Sequence, residues 1–288
     1  MLSMFKRFKN KVKHRFYLYL DKKERRKKKY LDYIEINISE HCNLNCAYCS
    51  HFAPVSEEYF YDFEKFKIDI KRIAELTSSK LDFLRIMGGE PLLNKQCKDY
   101  LSISREYFPN TEIILVTNGI LLKEQSSSFY QICKENNIKI ECTKYPIKID
   151  YEDLTNFVRE KGVSFHFASA PEKIPKFFQR LTLCQKGNIK YINSYLPCFW
   201  PMRCTTLRNG KIYLCPIVAN IHIINKHFNT KFNVSEKDYI DIYKVKNIKE
   251  ILKFLHKKIP FCRYCDFSKP SIAIWTISKK ELSEWVKE

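Results

Sequence analysis

Three cysteines spaced C-x3-C-x2-C, at Cys42, Cys46 and Cys49, directly follow an apolar, strand-like run at residues 33–38. This juxtaposition constrains the chain more than any other feature, because a loop leaving a strand can turn three thiolates toward one face of an iron-sulfur cube. A [4Fe-4S] cluster ordinarily takes four cysteines, so a local set of three leaves one iron open, as a catalytic metal site keeps an open position. The competing use is a structural zinc ion, which asks for a fourth local ligand. His41 and His51 lie too near the cysteines in sequence to reach the same ion.

Strand-like and helix-like segments alternate after this loop, the pattern of a parallel α/β sheet. Residues 33–39, 81–87, 112–117, 138–144 and 163–168 read as strands, with 189–192 as a candidate sixth. Helices are expected at 63–78, 97–107, 122–136 and 151–161. Gly88-Gly89-Glu90-Pro91 follows the second strand, Thr117-Asn118-Gly119 ends the third, and Thr143-Lys144 closes the fourth. The candidate functional residues thus collect at carboxyl ends of strands, where α/β barrels build active sites. Only six glycines occur in 288 residues, and two adjoin here. Glycines after a strand permit close backbone approach, and the neighbouring carboxylate can accept from an ammonium group.

From about residue 196 the alternation stops and cysteines return, at Cys198, Cys204, Cys215, Cys262 and Cys265. Residues 209–215 read as a small hairpin that presents Cys215 just after its glycine turn, and Cys262 and Cys265 form a C-x2-C knuckle after a helix at 248–257. Two such groups can enclose one tetrahedral or cubane site, so a zinc ribbon is the plain alternative to a second cluster. Cys97, Cys133 and Cys142 fall in helix or strand patterns and read as buried hydrophobes; Cys184 has no assignment.

Cys42, Cys46 and Cys49, with Tyr48 before the third cysteine, resemble the cluster motif of the radical S-adenosylmethionine (SAM) enzymes, and Gly88 to Pro91 resembles that family's GGEP motif. The resemblance implies a partial (β/α)6 TIM barrel over residues 31–195. It implies a [4Fe-4S] cluster whose open iron holds SAM, with Gly88, Gly89 and Glu90 at the SAM amino group. Thr117 and Asn118 would border SAM, Thr143 would lie near its ribose or carboxylate, and Tyr48 near its adenine. Gly210 to Cys215 and the later C-x2-C resemble the shortened SPASM, or twitch, extension. That implies a small cysteine-rich α+β domain at 196–288 with an auxiliary [4Fe-4S] cluster on Cys204, Cys215, Cys262 and Cys265, Cys198 being an equal candidate for the fourth place. Residues 50–54 and 227–229 are similar to radical SAM proteins associated with bacterial surface polysaccharides.

The expected reaction is therefore hydrogen abstraction by a 5′-deoxyadenosyl radical, with oxidation or epimerisation of a sugar or glycan. A peptide maturase and a non-catalytic metal-binding module are the alternatives, and no catalytic acid or base can be named. The implied electron donor is a flavodoxin or ferredoxin.

Formal net charge is +19, of which residues 1–30, with 13 basic and 2 acidic side chains, carry more than half. In that basic arm Leu2, Phe5, Phe8, Val12, Phe16 and Tyr19 recur at helical steps. Such a helix packs its aromatic face on the core or lies on an anionic membrane surface. No nucleic-acid motif accompanies the basic run, so nucleic acid is not an expected partner. Reduced thiols and the lack of a secretory h-region suggest a cytoplasmic protein, with peripheral contact at the inner membrane face as an added expectation.

Overall fold

The computed structural model describes residues 13, 16–168, 177–180, 182–268 and 271–287. Its core is an eight-stranded sheet in the order β10-β9-β8-β1-β2-β3-β4-β5. The strands are β1 (Tyr33–Ser39), β2 (Phe83–Gly88), β3 (Glu112–Thr117), β4 (Lys139–Cys142), β5 (Ser164–Phe167), β8 (Thr206–Arg208), β9 (Lys211–Tyr213) and β10 (Tyr239–Asp241). From β8 through β5 all neighbours are parallel, whereas β9 and β10 add antiparallel. Five parallel strands joined by helical crossovers, with β8 parallel beside β1, make the partial barrel expected of this alternation, alongside a cysteine-rich C-terminal segment.

The two faces of the sheet differ in chemistry because side chains alternate along each strand. Ile34, Ile36 and Ile38, with Leu84, Ile86, Ile113, Leu115 and Ile140, are fully buried on one face. Helices α2 (Phe63–Thr77), α3 (Cys97–Tyr107), α4 (Ser127–Glu135) and α5 (Tyr151–Glu160) alternate with these strands. The opposite face is polar: Glu35 pairs in register with Arg85, and Glu141 with His166. Arg85 bonds Glu141 across β3, and His166 Nε2 lies 3.3 Å from the other Glu141 oxygen. Glu35 is buried, Arg85 and Glu141 are half-buried and His166 is exposed, so a row of paired charges lines this face.

Several expected boundaries shift for local reasons. The helix expected at 122–136 is a short 3-10 turn followed by α4, because the Ser126 hydroxyl accepts from Phe129 N and starts a new helix there. Residues 189–192 are not a strand; Tyr191–Asn193 is a 3-10 turn, and the sixth parallel position beside β1 is taken by β8. The β8-β9 hairpin turns through Asn209 and Gly210, both at positive φ (48° and 73°), as a two-residue hairpin prefers. Helix α6 (Pro216–Phe228) follows at once, with Cys215 at its N-cap, and α7 (Ile248–Leu255) precedes the second cysteine pair.

Residues 16–25 form a helix, α1, that docks through polar contacts. Asp21 pairs with Arg203 at 2.8 Å, and Lys22 is buried against residues 195 and 196. Leu18 and Lys22 face inward, while Phe16 (60 % exposed) and Tyr19 (49 %) face solvent. Of the two placements expected of the aromatic face, packing on the core is therefore not seen at Phe16 and Tyr19, because the surface at 195–203 meets α1 with carbonyls and a guanidinium. Leu2, Phe5, Phe8 and Val12 lie outside the described residues. Among the described residues no helix is long and apolar enough to cross a membrane.

Two further strand pairs join the chain's later segments. β6 (Phe177–Arg180) pairs antiparallel with β11 (Ser271–Ile274), and β7 (Leu183–Cys184) pairs parallel with β12 (Val286–Lys287). Both pairs bring residues beyond 270 back toward the barrel.

Candidate active site

Each strand from β1 to β4 delivers one part of the site at its carboxyl end. A cavity of about 210 Å³ is bordered there by Cys42, Cys46 and Cys49, by Gly88 and Gly89, and by Thr117, Asn118 and Thr143. Met87, Tyr145, His51 and Phe178 complete much of its wall. The cysteine loop is held by its own backbone. Cys42 Sγ accepts from Leu44 N at 3.3 Å, and the Cys49 thiol faces the N–H groups of His51, Phe52 and Ala53. Burial raises the Cys42 and Cys49 pKa values, while these N–H groups favour the thiolate that a metal requires. Among the described residues no three Cys, His, Asp or Glu side chains are grouped as for a single metal ion.

The two glycines work on the loop itself. A Cβ on Gly88 would stand 2.0 Å from Ser39 O, and one on Gly89 would stand 2.1 Å from His41 O. Their bareness lets the β2 end press against the start of the cysteine loop, and Gly89 N and Glu90 N donate to Ser39 O and His41 O at 2.9 and 3.0 Å. Glu90 is fully buried, and its carboxylate accepts from Thr117 Oγ1 (2.7 Å), Asn118 N (2.8 Å) and Leu92 N (3.1 Å). Burial raises its pKa to about 7 despite these donors. Asn118 Nδ2 in turn lies 3.6 Å from Cys42 Sγ and donates to Asn43 Oδ1 at 2.7 Å. One hydrogen-bonded chain thus runs from Glu90 through the end of β3 to the first cysteine.

Thr143 borders the cavity and its N–H donates to Thr117 O at 2.9 Å. Tyr48 does not border it among the described residues; its left-handed backbone (φ 62°) shapes the loop, and its ring lies under the Arg180 guanidinium, 5.2 Å away. His51 Nε2 is buried with no hydrogen-bond partner, and burial pulls the ring down to a pKa of about 4, so it is neutral at the cavity wall. A buried polar atom without a partner beside three cysteines fits a site that holds a further group.

Three residues that local sequence patterns do not reveal close this loop. Trp275 Nε1 donates to Cys46 Sγ at 3.1 Å, and Trp285 Nε1 donates to Cys49 O at 3.0 Å. Tyr145 stacks near Phe178 (6.4 Å) and Trp275 (6.2 Å). The two segments similar to polysaccharide-associated proteins meet at Trp285: Phe52 packs on it edge-on at 6.1 Å, and Phe228 lies 6.2 Å away.

A second cysteine group lies at the other end of the β8-β9-α6 unit. Cys198, Cys215, Cys262 and Cys265 are close enough that burial and one another's charge hold their thiols up. Cys198, Cys215, Cys262 and Cys265 thus act on one another's surroundings, and Cys204 stands beside Glu35 and Arg85 with Cys198 as a further neighbour. Cys97, Cys133 and Cys142 are buried in the core, and Cys184 is half-buried near Asn188. Lys22 reaches this group from α1. Its ammonium donates to Tyr195 O (2.7 Å) and Leu196 O (3.0 Å), and Tyr195 O also accepts from Cys198 N. Burial draws the Lys22 pKa down to about 8, with Cys198 and Cys262 acting in the opposite sense.

Comparison with known proteins places this geometry. Residues 36–142 match the radical SAM superfamily. GTP 3′,8-cyclase of Nautilia profundicola is 28% identical over 142 residues, covering 48% of this chain and 43% of the relative. The same enzyme of Helicobacter pylori strain 26695 is 32% identical over 100 residues, covering 33% and 30%. The chain thus spans less than half the length of these relatives. BtrN, solved in complex with AdoMet and 2-DOIA, is similar in fold, with a TM-score of 0.51 at 21% identity over 83% of this chain and 93% of BtrN. A radical SAM domain implies a [4Fe-4S] cluster and SAM, and the three cysteines, the N–H groups at Cys49 and the unpartnered His51 nitrogen on one cavity fit that pair.

Proposed function

We propose, on the premise that residues 36–142 are a radical SAM domain, that the chain is a radical SAM enzyme acting on a small sugar or nucleotide-sugar substrate by oxidation or epimerisation. The observation that carries the enzyme reading is the convergence of four strand ends on one cavity that three cysteines also border. When bound, the cluster supplies the electron that cleaves SAM to methionine and a 5′-deoxyadenosyl radical able to take a hydrogen atom from substrate. The chain's own residues do the rest. Cys42, Cys46 and Cys49 are the ligands, and the Glu90–Thr117–Asn118 chain fixes the cavity's β3 side. Gly88 and Gly89 keep the β2 end against the loop, and Tyr145 and Phe178 give the cavity an aromatic wall.

A small substrate is favoured by the relatives named for a nucleotide and by the fold shared with BtrN. The cavity beside the cysteines is small, about 210 Å³. Cys198, Cys215, Cys262 and Cys265 are proposed to hold an auxiliary [4Fe-4S] cluster able to accept the electron left on an oxidised substrate. The test is anaerobic: dithionite-driven formation of 5′-deoxyadenosine by the wild-type chain and by Cys42→Ala/Cys46→Ala/Cys49→Ala, with and without sugar nucleotides. Turnover in the wild type, lost in the triple variant and stimulated by a sugar nucleotide, is the expected result. Cleavage that no sugar nucleotide stimulates or consumes overturns the substrate class, and no cleavage at all overturns the enzyme.

A further inference from the structure

Residues 275–285 are tied to the cysteine loop more closely than a covering layer requires. Cys46 and Ile277 form an antiparallel bridge, Ala47 N donates to Thr276 O at 2.9 Å, and Ser278 N donates to Asn45 O at 2.9 Å. Residues 276–278 therefore lie along residues 45–47 as a short added strand. This pairing fixes the adjoining Trp275, whose indole N–H donates to Cys46 Sγ at 3.1 Å. Cys46 is only 5 % exposed, whereas Cys42 and Cys49 are less covered. Trp285 makes a second anchor ten residues on, but its N–H goes to the Cys49 carbonyl and not to sulfur. The two indoles thus serve the same loop with different atoms.

Hydrogen bonds to the sulfurs and solvent exposure are the protein's main means of setting the potential of an iron-sulfur cluster. A donor to a ligating sulfur stabilises the state with more negative charge on that sulfur, which is the reduced one. We propose that Trp275 is a redox-positioning residue: its indole N–H, held by the 276–278 pairing, donates to the Cys46 ligand and raises the reduction potential of the cluster on Cys42, Cys46 and Cys49. This rests on the radical SAM reading of those three cysteines. It adds that the reducing power needed to start turnover is set from a segment far away in sequence.

Trp275→Phe keeps an aromatic cover over Cys46 and removes only the donor, while Trp275→Gln restores an N–H. Trp285→Phe removes a donor that does not reach sulfur. The experiment is an EPR-monitored redox titration of the reconstituted proteins, with the cysteines of the second group replaced by alanine so that one cluster is read. The expected result is a more negative midpoint in Trp275→Phe, movement back toward wild type in Trp275→Gln, and little change in Trp285→Phe. A Trp275→Phe midpoint equal to wild type, with the cluster fully loaded, overturns the proposal and leaves the radical SAM reading standing. A wild-type chain that assembles no cluster on the three cysteines overturns both. A second readout needs no cluster: in the metal-free chain iodoacetamide should label Cys46 severalfold faster in Trp275→Gly than in wild type, relative to Cys42. Equal labelling would show that the segment does not cover the sulfur in solution, and would also overturn the proposal.

Discussion

Glu90 illustrates how a motif residue is used once it is folded. Its spacing after two glycines suggests a carboxylate offered to a ligand's ammonium, yet its two oxygens already take three donors from Leu92, Thr117 and Asn118. Glu90→Gln puts an NH2 group among those donors, so at least one is left unmatched, at a cost of about 1–3 kcal/mol. Urea unfolding of the metal-free proteins should show that loss, and it should be absent for the exposed Glu58→Gln. Glu35 makes the opposite case. It is buried on the polar face of β1, held by Tyr33 and Thr206, and burial pushes its carboxyl up from the usual range. The folded chain therefore binds this proton more tightly than the unfolded one, and the group's contribution to stability falls as pH rises from about 4.5, its ordinary value, through the raised one. Glu35→Gln should flatten that fall, giving a smaller difference between melting temperatures at pH 5 and pH 8 than in wild type. The thiols at 42, 46 and 49 and the residues at 88–90 and 117–118 were legible in the sequence because each sits at the end of its own strand. Lys22, Trp275 and Trp285 were not, since their partners lie 173 to 236 residues away and no local period marks them.

Among the elements, the hairpin β8-β9 does most to join the two cysteine groups. Its first strand completes the parallel sheet beside β1, and its second leads in two residues to Cys215 at the N-cap of α6. The turn depends on Gly210, where φ is 73° and an added Cβ would stand 2.7 Å from the Tyr243 ring. Gly210→Ala should destabilise the chain by more than about 1 kcal/mol, measured by urea melts, and should lower iron retained at the second group before that at the first. The alternation of strands and helices from 33 to 168 could be read from hydrophobic period, since each βα unit packs on its neighbour. β8 escaped that reading because three residues carry too little periodicity, and because its place beside β1 is a closure of the sheet and not a local choice. Likewise Cys198 and Cys204 are indistinguishable by spacing; their neighbours differ, Glu35 and Arg85 lying beside Cys204 and Cys262 and Lys22 beside Cys198.

Over the whole molecule, the two cysteine groups predict their own stoichiometry. Two [4Fe-4S] clusters amount to about eight irons per chain, and the triple alanine variant at 42, 46 and 49 should keep about four. Cys198→Ala should reduce the iron of the remaining group, whereas Cys204→Ala should not; iron and sulfide analysis after anaerobic reconstitution distinguishes them. The same result for both single variants would place the fourth ligand elsewhere.

The hold of residues 275–285 on the loop at 46–49 also orders events in time. A ribosome makes Cys42, Cys46 and Cys49 early, together with most of their strand-end neighbours, but the indoles that close over them emerge more than two hundred residues later. During synthesis the three thiols therefore stand without these indoles until residues 275–285 have been made. Residues 45–47 thus find their strand partner, and Cys46 its indole donor, only after more than two hundred further residues have been added.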